Sequence, residues 1–443
     1  MNRELIVAVV LCLCLAAGTA RSADLPAPDE GKRLSGDEIK ALILSDFIRY
    51  DPSYIEHRKR LANRLDRLTA RLSALQAAGN EMECSNQIYL EAKWLYNYTA
   101  YWARLEERLD ELEKSLEQPD QAFAADQSPE TGLWGACYEE PFFKVEATIL
   151  ALLVLETMDE SPGYAIHLPH PFDEPAEAME HLRALLVSDI AHNGVDNRAE
   201  LGNIGTVASL AYFKGYLQDY LNNRVVGLPR NQGGPGRRAA EYVSMFNRFI
   251  SDWQDPASGY WGPWYQSKGH YYKSADLSFT FHIISYKRGD VDHWPEIINT
   301  TIAIKNQPYP FGWSHNGEFV NHNNYDVAKI FRYGWRHASG AQRQEMAAEI
   351  GDMLRWTLNH SLQDDGSFKT VPSFFSSQGA DFYFGVSFLQ TIGYWDPELR
   401  FWTTEDFPEA TSVCERIKAR LVAMGLKAHE SSSALAQLEN ACG

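Results

Sequence analysis

The feature that most constrains this chain is a short cassette that recurs along it. Gln127-Ser128-Pro129-Glu130-Thr131-Gly132-Leu133-Trp134 aligns position for position with Gln254-Asp255-Pro256-Ala257-Ser258-Gly259-Tyr260-Trp261. Gln363 to Phe368, through Gly366, is a shorter copy, and Gln307 followed by Gly312 and Trp313 is a looser one. The copies start 127, 53 and 56 residues apart. The first gap is two periods of about 63, with His192-Asn193-Gly194 standing where a degenerate copy belongs. A fixed period of this size signals a repeat-built domain, in which each unit buries its apolar face against the next.

A polar residue opens an apolar run after each turn: Asn86, Glu146, Asn203, Asp276, Asp326 and Asp381. Their intervals are 60, 57, 73, 50 and 55 residues, which makes six units. Amphipathic charged stretches at 102–117, 174–187, 238–253, 341–361 and 411–424 alternate with these runs. Their apolar residues recur at three and four, the period of a helix with one wet face. The intervening runs are apolar nearly all round and predict buried helices. The cassette supplies the joints: glycine for a left-handed turn, a glutamine amide for exposed helix-end groups, and a ring to pack between neighbouring pairs.

Six pairs of buried and half-buried helices predict an all-α chain built as an α/α toroid, a six-hairpin α/α barrel with an N-terminal helical extension. We divide the sequence into a signal peptide at 1–20, a linker and helical extension at 21–80, the toroid at 81–425 and a disulfide-tethered C-terminal tail at 426–443. The leader has Arg3, an apolar stretch from Leu5 to Ala17 and small residues at Gly18 and Ala20, which predicts a secreted or periplasmic protein. Cys84, Cys137, Cys414 and Cys442 follow it, an even count in an exported chain. Three pairings are possible, and we favour Cys84–Cys137 with Cys414–Cys442.

Hydrophobic residues at 45% suffice for a large core, and the net charge of −18 disfavours a nucleic-acid partner. Beyond the leader no apolar run predicts an integral membrane span. No Cys/His spacing suggests a metal, no phosphate loop suggests a nucleotide, and we expect no cofactor and a monomer.

Phe123, Gln127, Gly132 and Trp134, and again Phe249, Gln254, Gly259 and Trp261, resemble the QW repeat of terpenoid cyclases, which is similar in turn to the repeats of protein prenyltransferases. The resemblance covers roughly residues 84–400 and implies the α/α toroid fold. It implies chemistry only weakly. The cyclase acid motif has Asp290-Val291-Asp292-His293 as its nearest counterpart, without the final acid, and no cysteine stands in a prenyltransferase zinc context.

Parallel inner helices would bring their N-termini, with unpaired N–H groups and partial positive charge, to one mouth. Asp276, Asp326 and Asp381, with Glu146 and Asn203, are candidates there, although acids and amides are also ordinary caps. The densest polar segment runs from Trp313 to Asp326 and offers His315, Asn321, His322, Asn323, Asn324 and Tyr325. It is similar to the Asn-Asn-His-Ser-Tyr motif of alginate lyases, α/α-toroid enzymes, with Asn321-His322 as the matching pair. That resemblance implies carboxyl neutralisation by Asn321 and proton abstraction by His322 or Tyr325, with Tyr383 as a stand-in for the family's separate tyrosine. Trp264, Tyr265 and Trp313 are aromatic candidates for stacking sugars. Asn97, Asn299 and Asn359 fit the N-glycosylation pattern, and the Arg-rich, Gly/Pro-rich segment 224–238 reads as a surface loop or basic lid.

These residues point to a secreted toroid enzyme acting on a glycan, by β-elimination of an acidic polysaccharide. The alternatives are a non-catalytic toroid that binds a small ligand or protein, a glycoside hydrolase using Asp276 and Asp381, and a cyclase-like enzyme without the usual acid motif.

Overall fold

The structure is a computed structural model that describes residues 31–78, 80, 82–117, 127–139, 141–157, 162–213 apart from 165, 168 and 173, 235–314, 317–369, 378–425 and 429–442. The expected leader at 1–20, His315 and most of the basic segment at 224–238 lie outside these residues. Strand β1 (Lys32–Arg33) is followed by helices α1 (Gly36–Tyr50), α2 (Tyr54–Ala77), α3 (Glu83–Tyr98) and α4 (Trp102–Ser115). Next come α5 (Pro141–Thr157), α6 (Pro175–Leu185), β2 (Val187–Ser188), α7 (Ile190–Asn193), α8 (Arg198–Phe213) and α9 (Pro235–Trp253). The hairpin β3 (Trp264–Ser267) and β4 (His270–Lys273) precedes α10 (Leu277–Tyr286), α11 (Trp294–Ala303), α12 (Asn321–Gly334), α13 (Gly340–Trp356), α14 (Gln378–Thr391), α15 (Ala410–Met424) and α16 (His429–Cys442).

The chain is mostly helical, as the periodicity requires. Helices α5, α8, α10, α12, α14 and α16 pack side by side in that order. Helices α6 and α9 lie on α8, and α11 and α13 lie on α12, so apolar helices are backed by amphipathic ones. This arrangement shares one core that runs from Phe143 to Leu438. Capping fixes where several helices begin. Ser35 with Glu38 and Ser339 with Gln342 form capping boxes, and Asp276 caps α10 by accepting from Phe279 N.

Helix α3 packs with α2 and α4 beside a second core containing Ile39, Phe47, Leu61 and Leu105, and it also touches α8. The expected tail forms α16, which packs on α14 and α15 and buries Ala434 and Leu438 completely. Their spacing of four puts both on one face, which supplies the apolar stripe that α14 needs. Cys84 pairs with Cys137 and Cys414 with Cys442, at Cα separations of 5.2 and 5.7 Å.

The exception to the helices is a four-stranded sheet in the order β1-β4-β3-β2. Its centre is an antiparallel hairpin that pairs Trp264 with Lys273 and Tyr265 with Tyr272. Lys268 and Gly269 turn the hairpin with φ values of 53° and 77°, the left-handed pair that tight two-residue turns require.

The two full cassettes fold alike. Gln127 Nε2 donates to Gly132 O at 2.9 Å and Gln254 Nε2 to Gly259 O at 2.9 Å. Each amide also donates to the following connection, to Tyr164 O at 2.6 Å and to Asp292 O at 2.9 Å. Gly132 and Gly259 both have φ of 69°. Trp134 N and Trp261 N each donate to a threonine on the next helix, Thr148 and Thr280. The glutamine thus ties together consecutive connections rather than closing a helix end.

Candidate functional site

Helices α3, α5, α8 and α10, with the turn from Trp134 to Tyr138, line a half-open cavity of about 780 Å³. Its walls carry aromatic rings (Trp94, Tyr98, Trp134, Tyr138, Phe143), amides (Asn86, Asn97, Asn203) and the charged groups Lys93, Glu146 and Arg198. Rings with interspersed amides and a few charges are the lining that holds a polar ligand with apolar faces. The Glu146 carboxyl is half-buried and has no hydrogen-bond partner among the described residues. Burial alone pushes its pKa up, so it tends to keep a proton.

Arg198 opens α8 and lies across from Glu146's helix. Its side chain is 14% exposed, and Nε donates to Asp276 Oδ2 at 2.7 Å. Its guanidinium also stacks over Phe279, 4.9 Å from the ring centre. Nη1 and Nη2 have no hydrogen bond among the described residues. One edge of the fork is thereby held and the rest is left for a ligand; a planar fork of this kind matches a carboxylate. Asp196 supports the start of α8 from below, accepting from Arg198 N at 3.0 Å and from Tyr265 Oη at 3.5 Å. Burial raises its pKa to about 6.

His282 lines the same cavity and connects it to a second polar group on α10, α12 and α14. Its Nδ1 lies 3.0 Å from Tyr286 Oη. On α12, His322 Nδ1 donates to Asn323 Oδ1 at 2.9 Å, and Lys329 Nζ donates to Tyr325 Oη at 2.9 Å. The Tyr325 and Tyr383 rings stand 6.1 Å apart. Burial lowers His282 to about 3 and His322 to about 4, so both are neutral at pH 7. Asp326 is 1% exposed, and its Oδ1 has no hydrogen bond; burial pushes this carboxyl far up.

The sequence candidates divide between these groups and the core. His322, Tyr325, Asp326 and Tyr383 come together on α12 and α14. The asparagines beside them are engaged within the protein: Asn321 Nδ2 donates to the Ser361 hydroxyl at 2.7 Å, Asn323 Nδ2 to the Trp313 carbonyl at 3.0 Å and Asn324 Nδ2 to the Thr357 hydroxyl at 3.3 Å. Trp264, Tyr265 and Trp313 are 5%, 2% and 0% exposed, so their faces are covered by protein and none serves as an open sugar platform. Lys273 covers the Trp264 ring at 4.3 Å, and Trp313 Nε1 is anchored on Thr301 O at 2.8 Å. Asp276 is committed to Arg198 and to its cap, and Asp381 sits in the first turn of α14, two helices along the row.

Sequence reasoning passed over Arg198 and placed Glu146 only as a helix-start candidate. The signal for Arg198 is an arginine directly before an apolar run, following the degenerate cassette at His192-Asn193-Gly194. Among the described residues no cluster of three His, Cys, Asp or Glu side chains could hold a metal ion, and no helix is long and apolar enough to cross a membrane. No family model matches the chain, and no curated protein or solved structure matches it either.

Proposed function

We propose that this chain is a secreted α/α-toroid protein that takes an acidic glycan into the cavity between α3, α5, α8 and α10 and cleaves it by β-elimination. The observation that carries this reading is the half-committed Arg198 fork facing a cavity that also holds the unpartnered Glu146. The row of apolar helices backed by amphipathic ones supports the toroid. The two disulfides and the leader sequence support export.

In this reading Arg198 receives the uronate carboxylate and stabilises the charge that develops when the adjacent C–H is lost. A neutral histidine, His282 in the cavity wall or His322 behind it, accepts that proton. The electron pair forms the new carbon–carbon double bond, the glycosidic C–O bond breaks, and the Glu146 proton passes to the leaving oxygen. Trp94, Trp134 and Tyr138 supply ring faces for the sugars.

The test is incubation with alginate, polygalacturonate and hyaluronan while following the ultraviolet absorbance of unsaturated ends. Absorbance should rise with one of them, and Arg198→Ala should cut the rate by about 100-fold. A second reading, a binding protein without turnover, is favoured by the weak basicity of both buried histidines. Thermal stabilisation by a glycan with no absorbance change would select it.

A further inference from the structure

His282 on α10 and His322 on α12 are both neutral at pH 7, so each ring carries one proton on one of its two nitrogens. The choice of nitrogen decides whether the other one donates or accepts. In both rings the neighbours fix it.

For His322 the chain of bonds starts at a backbone carbonyl. Trp313 O only accepts, so the Asn323 group 3.0 Å from it is the amide nitrogen Nδ2. Asn323 Oδ1 therefore faces His322 Nδ1 at 2.9 Å, and this oxygen too only accepts. The His322 proton is on Nδ1, and the lone pair is on Nε2.

His282 has the opposite kind of partner. Its Nδ1 lies 3.0 Å from Tyr286 Oη, one turn on along α10. The Tyr286 hydroxyl has no other hydrogen-bond partner among the described residues, so its hydrogen goes to Nδ1. The His282 proton is then on Nε2, and that N–H makes no hydrogen bond among the described residues. The ring lines the cavity. His282 follows Phe279 by three residues on the same face of α10. The Arg198 guanidinium lies over the Phe279 ring, 4.9 Å from its centre. Gly202 lets the two helices meet there, since a Cβ on it would come within 2.3 Å of Phe279 Cε1. The α8–α10 wall of the cavity thus presents two neighbouring donors, the Arg198 fork and His282 Nε2–H, and both match acceptor oxygens.

We propose that Tyr286 locks His282 as an N–H donor that holds a ligand carboxylate jointly with Arg198, while Asn323 locks His322 as the proton acceptor. The ligand class is a uronate. The proton lost from its C–H passes to His322 Nε2, and His282 keeps its own. This inference rests on the acidic-glycan reading of the cavity and gives the two histidines different roles in it.

The experiment records nitrogen NMR spectra of the full chain with isotope-labelled histidines. His282→Gln and His322→Gln assign the two rings by the signals that each removes. The parent should show His282 protonated at Nε2 and His322 at Nδ1, and Tyr286→Phe should give His282 a mixture of both forms. The same tautomer in both rings, or an unchanged His282 pattern in Tyr286→Phe, overturns the lock. Titration with oligogalacturonate and oligoalginate reads the donor. His282→Leu should weaken binding about tenfold, and His282→Gln, whose amide donates from the same place, about threefold. Equal losses in the two variants overturn the donor role. Tyr286→Phe, which removes one oxygen, keeps the test open should His282→Leu fail to fold. His322→Gln should lower turnover about 100-fold with binding retained, and turnover that survives in it overturns the acceptor role. A parent chain that binds no uronate overturns the glycan reading and the proposed ligand, and the spectra still decide the tautomers.

Discussion

Arg198 donates its Nε–H to Asp276 Oδ2 at 2.7 Å, while Asp276 Oδ1 accepts from Phe279 N at 3.0 Å and caps α10. One carboxylate thus orients the cavity arginine and starts a core helix. Asp276→Ala should remove both supports and leave a cation without its partner, costing about 3–5 kcal/mol. Asp276→Asn keeps the cap and should cost less. Urea midpoints of the two variants check the ordering.

Glu146 should act through its proton. Glu146→Gln preserves size and hydrogen-bonding ability but cannot supply an acid. On an accepted glycan, turnover should fall about 100-fold with little change in binding. Steady-state kinetics beside a binding titration separate the effects, and a change confined to KM would make Glu146 a binding group.

Asp196 should set a pH dependence of stability. Its carboxyl titrates near 6 in the folded chain, against 3.8 when unperturbed, because burial disfavours its charge. The folded state therefore holds this proton more tightly than the unfolded state. Stability from this group is present below pH 4 and is lost as pH rises towards 6, by about 3 kcal/mol. Asp196→Asn should remove that slope. Denaturation at several pH values, variant against parent, reads the difference directly.

The cassette glutamines should be structural. Gln254→Ala leaves the Gly259 and Asp292 carbonyls without their donor and should cost about 1–3 kcal/mol. Gly259→Ala should cost more, because φ is 69° and a Cβ would come 2.6 Å from Ile297 Cγ1. Thermal unfolding of both variants provides the comparison.

The two disulfides should differ in consequence. Cys137 precedes Tyr138 of the cavity wall, and Cys137 N also donates to Gln87 Oε1 at 3.0 Å. Removing Cys84 and Cys137 together should lower stability by about 2–4 kcal/mol and weaken ligand binding. Removing Cys414 and Cys442 together should lower stability only. Ligand-induced shifts in Tm of the two double variants distinguish these outcomes.

Much of the architecture was legible because it rests on period and composition. The apolar runs opening near Glu146, Asn203, Asp276, Asp326 and Asp381 all form packed helices, and the cassette glycines Gly132, Gly259 and Gly366 have positive φ, whereas Gly312 of the looser copy does not. Helix α16 was harder to read, since its short apolar face becomes informative only with α14 beside it. The hairpin at Trp264–Lys273 was hidden because its aromatic residues resemble a ligand platform until the Lys268-Gly269 turn is recognised. The roles of Asn321, Asn323 and Asn324 were not legible for a physical reason: amides that bond groups within the protein and amides that bind sugars have the same composition. Arg198 escaped notice because its importance comes from Asp276, 78 residues away.

The reach of the cassette glutamines has a mechanical consequence. Gln127 bonds a carbonyl 37 residues ahead and Gln254 one 38 residues ahead, and each amide also holds its own glycine. Each clamp therefore works as a ruler for the chain between its ends. A helix pair can lengthen or shift outside the ruler but not within it without breaking the clamp. Amide hydrogens of adjacent units should consequently exchange as coupled blocks, with each block's opening registered at the next joint.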